Sequence, residues 1–210
     1  MLKGSSVMLR PARRDDLDIL LRWANDAETT RWLLIDPPMT RAAESSWLEY
    51  MLTSVTDRLF IIYTAGGTPV GTIALGQISS KHRKARVGIA IFEKASRNRG
   101  FGTEAMELVL DYSFNTLKLH RVELDVFEDN AAAIRSYKKC GFVSEGIVRE
   151  CYVKNGRFIT AILMSILEHE WKGARGRDQK IPSSPAKRKG LGERQILNGG
   201  FNPPTAAAAK

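Results

Sequence analysis

Ala95-Ser-Arg-Asn-Arg-Gly-Phe-Gly-Thr103 lies between an apolar run, Ala85-Arg-Val-Gly-Ile-Ala-Ile-Phe92, and a segment with helical spacing, Glu104-Ala-Met-Glu-Leu-Val-Leu-Asp-Tyr-Ser-Phe114. A strand, a glycine-punctuated loop and a helix start therefore follow one another directly. The first N–H groups of a helix lack partners and carry partial positive charge, and glycine lets an anion approach them closely. Arg97 and Arg99 add full charges beside them. Two readings of the loop stand at this point: an anion cradle, or a strand-to-helix turn that uses glycine for its backbone freedom.

Downstream, Met106, Val109, Leu110, Phe114 and Leu117 make one face of the helix, and Arg121-Val-Glu-Leu-Asp-Val-Phe127 alternates as a strand does. A short helix follows, opened by Asp129 or Asn130 and stopped at Gly141. The segments 147–154 and 157–167 flank Asn155-Gly156, a strong hairpin signal.

Upstream, Val7-Met-Leu-Arg-Pro11 reads as a first strand, and Leu17, Leu20, Leu21 and Ala24 recur at helical spacing. The prolines of Thr30-Arg-Trp-Leu-Leu-Ile-Asp-Pro-Pro38 mark a loop. Thr40 can cap a second helix with the stripe Trp47, Leu48, Met51 and Leu52, while Glu44 falls one place too late for a capping box. Two strands, 59–64 and 70–75, are joined by Ala65-Gly-Gly-Thr68, and the basic connection Ser79-Ser-Lys-His-Arg-Lys84 reads as a solvated hairpin tip. The order is strand, two helices, three strands, helix, strand, helix, two strands, which is a mixed sheet with helices packed on it.

Charge divides the chain. Lys172 to Lys210 carry nine Lys or Arg against two Asp or Glu, a surplus of seven from the formal +9, so residues 1–171 are nearly neutral. We read 1–171 as one domain and 172–210 as a basic, disordered tail; a nucleic-acid reading belongs to the tail rather than the domain, and a solvated tail is preferred over it because Phe201 is the tail's one aromatic residue. Two cysteines and the polar start Met1-Leu-Lys-Gly point to a reducing cytoplasm and free thiols. The cysteines and scattered histidines have no metal-ligand spacing, and no apolar run reaches the roughly 20 residues of a membrane helix.

Three features together resemble the GNAT acyltransferases, which move an acetyl group from acetyl-CoA to an amine. Arg97-Asn-Arg-Gly100-Phe-Gly102 is similar to the family's pyrophosphate loop, Asp129-Asn130 through Tyr137 to its cofactor-side helix, and Cys140-Gly-Phe142 to the Leu-Gly-Phe that ends that helix, with Cys140 a departure. The likeness runs from residue 7 to about residue 171, and within the superfamily it resembles most the ribosomal-protein alanine and the spermidine or diamine acetyltransferases.

The resemblance implies an α/β (mixed α+β) GNAT fold. Its central, mostly antiparallel sheet of about seven strands is flanked by about four helices, and a splayed strand pair holds CoA. It implies that Arg97, Asn98, Arg99, Gly100, Phe101, Gly102 and Thr103 bind the diphosphate of acetyl-CoA. Ile89, Ala90, Ile91 and Phe92 would hold the pantetheine, with Gly88 as a bulge opening the gap, and Asn130, Ala133 and Tyr137 would line its path. Tyr137 is the expected proton donor to the departing thiolate. Glu93, Glu123, Asp125 or a water chain are the candidates for the base. Arg31, Trp32 and Asp36, on the loop between the first two helices, are the expected acceptor contacts.

The implied acceptor is a primary amine, either a protein N-terminus or a small amine. Polyamines and amino sugars or aminoglycosides are alternatives, although Asp36 alone is a sparse acidic set for a polyamine. A non-catalytic acyl-CoA-binding module with a nucleic-acid-contacting or ribosome-contacting tail is the competing class. The edge strands of the closing hairpin are surfaces through which a homodimer can pair.

Overall fold

A computed structural model describes residues 1–171; the tail expected at 172–210 lies outside the described residues. The elements are β1 (Leu2–Lys3), β2 (Val7–Pro11), α1 (Leu17–Ala24), α2 (Ala27–Thr30), α3 (Arg41–Thr53), β3 (Arg58–Thr64), β4 (Pro69–Ser79), β5 (Lys84–Ile91), α4 (Phe101–Asp111), β6 (Arg121–Phe127), α5 (Ala131–Lys139), β7 (Val143–Lys154) and β8 (Arg157–Leu167). The strands form one eight-stranded sheet in the order β1-β2-β3-β4-β5-β6-β8-β7. Each neighbouring pair is antiparallel except β5 and β6.

That parallel pair creates the site. β5 and β6 pair only through Lys84–Arg121, Ala85–Val122 and Arg86–Glu123. Beyond those residues β5 keeps its ladder to β4 as far as Ile91, and β6 keeps its ladder to β8 as far as Phe127. Right-handed twist carries the two strands apart, and a gap opens in mid-sheet. Gly88 is not the bulge expected from the sequence: it pairs with Ala74 in unbroken register, and the irregularity in that ladder falls between Gly76 and Ser79. The gap comes from a short parallel pairing, not from an inserted residue.

Alternation along the strands builds two cores. Phe60, Ile62, Ile73, Leu75, Val87, Leu124 and Val126 face Met106, Val109 and Leu110 of α4, with Ile134 and Tyr137 of α5 packed against them. Leu59, Ile61, Ala74 and Phe92 face Leu20 and Trp23 of α1 and Leu48 and Met51 of α3. Trp23 stacks on Phe92 with ring centroids 5.0 Å apart. The α4–α5 layer and the α1–α3 layer are therefore on opposite faces, and the gap between β5 and β6 connects them.

The eighth strand, β1, is two residues that pair with Leu9 and Met8, too short to show alternation. The one-turn α2, capped where Asp26 accepts from the Glu28 N–H at 3.2 Å, is too short to show a period. α4 begins at Phe101 rather than Glu104, because Gly100 takes the left-handed conformation (φ 84°) and turns the chain into the helix there.

Candidate active site

A cavity of about 960 Å³ runs along the gap. Its walls come from β5 (Val87 to Ile91, continued by Phe92), from Asp125, Val126 and Phe127 of β6, from the α4 and α5 starts, and from the α1–α3 layer, including residues 31–36 and Glu44 and Trp47 of α3.

At the α4 end, Asn98, Gly100, Phe101, Gly102 and Thr103 line the cavity. No side chain caps α4, and its first internal bond is from the Glu104 N–H to the Gly100 carbonyl at 3.0 Å. The Phe101, Gly102 and Thr103 N–H groups are thus left for an incoming acceptor. A Cβ on Gly100 would meet nothing within 4 Å, and one on Gly102 would meet only Ile91 and Ile89 side-chain carbons at 3.6 and 3.9 Å. Packing within the chain therefore does not demand glycine at 102, whereas close approach of a ligand to the helix N-terminus does. This donor set fits a diphosphate.

Of the two arginines of the loop, Arg97 lines the cavity as the sequence suggested and Arg99 does not. Arg97 is committed to the chain: its guanidinium donates to the Ile91 carbonyl at 3.1 Å, to the Phe92 carbonyl at 3.0 Å and to Glu28 at 2.7 Å, and also to the Thr29 hydroxyl. It ties the loop to α2. Arg99 lies outside the cavity walls, its guanidinium 5.2 Å from the centre of the Phe101 ring. Arg135 and Lys139 of α5 add basic side chains to the wall in addition to Arg97. The sequence reading missed both, although their spacing of four is that of one helix face.

Ile89, Ala90, Ile91 and Phe92 form the sheet side of the cavity, and Asn130, Ala133 and Tyr137 form the α5 side. Asn130 caps α5, its side-chain oxygen accepting from the Ala133 N–H at 3.2 Å. Tyr137 packs its ring 5.9 Å from Phe142, and its hydroxyl makes no hydrogen bond to any described residue. Burial, helped slightly by the neighbouring Cys140 thiol, pushes the phenol up to about 12, so it holds its proton at neutral pH.

All three carboxylates considered as bases are engaged. Glu93 accepts from Arg22 at 2.6 Å and from the Trp23 indole at 2.9 Å, and it is not on the wall. Glu123, also off the wall, accepts from Arg121 at 2.6 Å and from Arg86 at 3.4 Å. Asp125 reaches the wall but accepts from Arg86 at 2.5 Å and from the Tyr152 hydroxyl at 2.6 Å.

On the opposite side, Arg31, Trp32 and Asp36 all line the cavity. Arg31 lies over the Trp32 ring at 4.9 Å, and Asp36 pairs at 3.6 Å with Lys154, whose buried ammonium also donates to the Ile35 carbonyl at 2.7 Å. The sequence reading missed Glu44, which is 5% exposed, lines the cavity and has no hydrogen-bond or ion-pair partner among the described residues. Burial alone pushes its carboxyl from 4.5 to about 7. The available signal was its place on the apolar stripe: Glu44, Leu48 and Met51 share one face of α3 and are all buried.

A family model described as the acetyltransferase (GNAT) domain matches residues 6–143. The chain is 30% identical over 171 residues to the spermidine N(1)-acetyltransferase of Escherichia coli K12, which covers 81% of this chain and 91% of that one. Among solved structures, spermidine N-acetyltransferase from Vibrio cholerae in complex with CoA and spermine is similar at a TM-score of 0.74 and 28% identity, covering 80% of this chain and 98% of that one. A dodecameric structure of the Vibrio cholerae enzyme is similar at a TM-score of 0.68 and 29% identity, covering 80% and 96%.

Proposed function

The chain belongs to the GNAT acetyltransferases and is an acetyl-CoA-dependent N-acetyltransferase, and from that premise we propose how its own residues divide the work. The N–H groups at the start of α4, with Arg135 and Lys139, hold the diphosphate, and the β5 edge from Ile89 to Phe92 holds the pantetheine arm. The acceptor is a small primary amine that enters from the α1–α3 side. Spermidine, named for the Escherichia coli and Vibrio cholerae relatives, is the first to test.

Acetyl-CoA supplies the acetyl group as a thioester. The amine attacks as the free base, its ammonium proton having passed to solvent, and forms the new N–C bond; the C–S bond breaks, Tyr137 delivers its phenolic proton to the departing sulfur, and the remaining nitrogen proton restores the phenol. The observation that carries this reading is the free phenol of Tyr137 on the wall of a cavity that joins both faces of the sheet where β5 and β6 part. The test is free-thiol release from acetyl-CoA with an amine panel. Amine-dependent release that persists undiminished in Tyr137→Phe removes Tyr137 from the mechanism.

We also propose self-association through the sheet edge at β7. Ile147, Val153 and Phe158 are exposed there, Phe158 at 67%, and a relative is dodecameric. Sedimentation of the wild type against Ile147→Glu/Phe158→Glu tests it. Neither Cys140 nor Cys151 is in a disulfide among the described residues, which suits a reducing compartment. No helix among the described residues is long and apolar enough to cross a membrane.

A further inference from the structure

Four carboxylates line the cavity: Glu28, Asp36, Glu44 and Asp125. Three are neutralised within the chain. Glu28 pairs with Arg97 at 2.7 Å and Lys94 at 3.3 Å, Asp36 with Lys154 at 3.6 Å, and Asp125 with Arg86 at 2.5 Å. Glu44 is left without a partner among the described residues. One turn along the same helix, the Trp47 indole N–H is also buried without an acceptor. The same side of the wall carries the apolar side chains Leu20, Ala24, Trp32, Leu33 and Met39.

A buried carboxylate with no counter-charge is unfavourable, and a cation delivered by a ligand removes the penalty. A polyamine brings several ammonium groups spaced along a flexible chain, and each needs its own acid. This cavity offers one. An amine with a single positive nitrogen and an apolar body satisfies the carboxylate and buries its carbon skeleton against the indoles and aliphatic side chains.

Building on the acetyltransfer reading, we infer that the acceptor is a primary amine with one cationic nitrogen on an aryl or branched-alkyl body, and that Glu44 is the residue that holds its ammonium. Because that nitrogen is also the nucleophile, Glu44 takes its proton. The carboxylate becomes a neutral carboxylic acid, the freed lone pair forms the N–C bond, the C–S bond breaks, the sulfur leaves with the proton of Tyr137, and the second proton of the nitrogen restores the phenol, so that the amide, the thiol and the tyrosine all end neutral. The preference differs from the substrate named for the relatives, and it rests on the acids already paired off inside this chain.

The test uses the full chain with acetyl-CoA and three acceptors: 2-phenylethylamine, spermidine, and phenylhydrazine, which is uncharged at neutral pH. The expected kcat/KM for 2-phenylethylamine exceeds that for spermidine by about tenfold or more, a difference of about 1.4 kcal/mol. Glu44→Gln is expected to raise KM for 2-phenylethylamine by about 30-fold or more, and Glu44→Asp to recover part of the loss. For phenylhydrazine the KM change stays within about threefold, since no charge is lost. Calorimetry with acetyl-CoA accompanies each variant to show that the cofactor half is intact. Spermidine preferred over 2-phenylethylamine, with acetyl-CoA bound and turned over, overturns this inference and leaves the acetyltransfer reading standing. Equal KM increases for the charged and uncharged acceptors overturn the role of Glu44. Loss of acetyl-CoA binding in the wild type removes both readings.

Discussion

Replacing Glu44 by glutamine should make the protein more stable above neutral pH, and the gain should disappear in acid. In the unfolded chain this carboxyl ionises near 4.5, whereas burial holds it at about 7 in the folded protein. Between those values the folded protein retains a proton that the unfolded chain has lost, so raising the pH through that window lowers stability. Above about pH 7 the folded protein carries the full penalty of an unpaired buried carboxylate. At about 1.4 kcal/mol per pH unit the gap is worth roughly 3 kcal/mol as a ceiling.

Glutamine has the same shape and no charge. Its buried amide meets the same lack of partners as the protonated acid, so the two proteins should match below about pH 4.5. Above pH 7 the variant should lead by about 2–3 kcal/mol, or roughly 5–10 °C in Tm for a domain of this size. Thermal unfolding of both proteins from pH 4 to 8.5, without cofactor, gives the difference directly, because every other titrating group is common to both. A difference that does not change with pH, or a variant less stable than wild type at pH 8, would show that Glu44 has a partner in solution and refute the reasoning. The same logic ties stability to function: at pH 8 a bound single-cation amine should raise the Tm of the wild type and not that of the variant.

The remaining predictions concern the cofactor half. Tyr137→Phe should lower kcat by about 10²-fold while acetyl-CoA affinity by calorimetry stays within about threefold; equal kcat removes the phenol as proton donor. Gly100→Glu places a carboxylate at a left-handed helix start meant for an anion, and acetyl-CoA binding should weaken by about 10²-fold or more; wild-type affinity would refute the cradle. Arg135→Ala/Lys139→Ala should weaken acetyl-CoA binding at low salt and much less at high salt, and an unchanged salt dependence would take both residues away from the phosphates. Gly71→Ala should destabilise the fold by about 2–4 kcal/mol in urea unfolding, because the new Cβ would sit 2.1 Å from the Ala90 carbonyl oxygen across the β4–β5 ladder; wild-type stability would mean that the strands are not so close.

The cofactor half could be read from the sequence because it is written in short-range chemistry. A loop, a glycine at a helix start, an Asn cap two turns before Tyr137 and an Asn-Gly turn each announce themselves within a few residues. The bounds of β6 and β8 coincide with the alternating runs read from the sequence. The long-range pairings could not be read in this way, although Arg31, Trp32 and Asp36 do line the cavity. Arg97 appears in sequence as a loop cation, yet its partner Glu28 is 69 positions away, and nothing local reveals that the charge is spent. Alternation along Arg121-Val-Glu-Leu-Asp-Val-Phe127 puts Arg121, Glu123 and Asp125 on one face, but it took the parallel neighbour to bring Arg86 against both acids. Glu44 carried the opposite clue, an acid standing where the stripe of α3 calls for an apolar residue.

This asymmetry follows from how the gap in the sheet is made. On the α4–α5 side the cavity presents main-chain donors, the Tyr137 phenol and the cations Arg135 and Lys139, placed by local helix geometry. On the α1–α3 side the lining depends on where residues 26–39 are held, and that is fixed by contacts from distant elements. Lys154 of β7 reaches the Ile35 carbonyl, Arg97 holds α2, and the Asn25 side chain brackets Met39 by accepting from its N–H at 2.8 Å and donating to its carbonyl at 3.1 Å. Each of those anchors is a side-chain contact made across 14 or more positions of the chain. On our inference the charge left over once the anchors have paired sets the acceptor, and among the described residues that line the cavity it is the single carboxylate of Glu44.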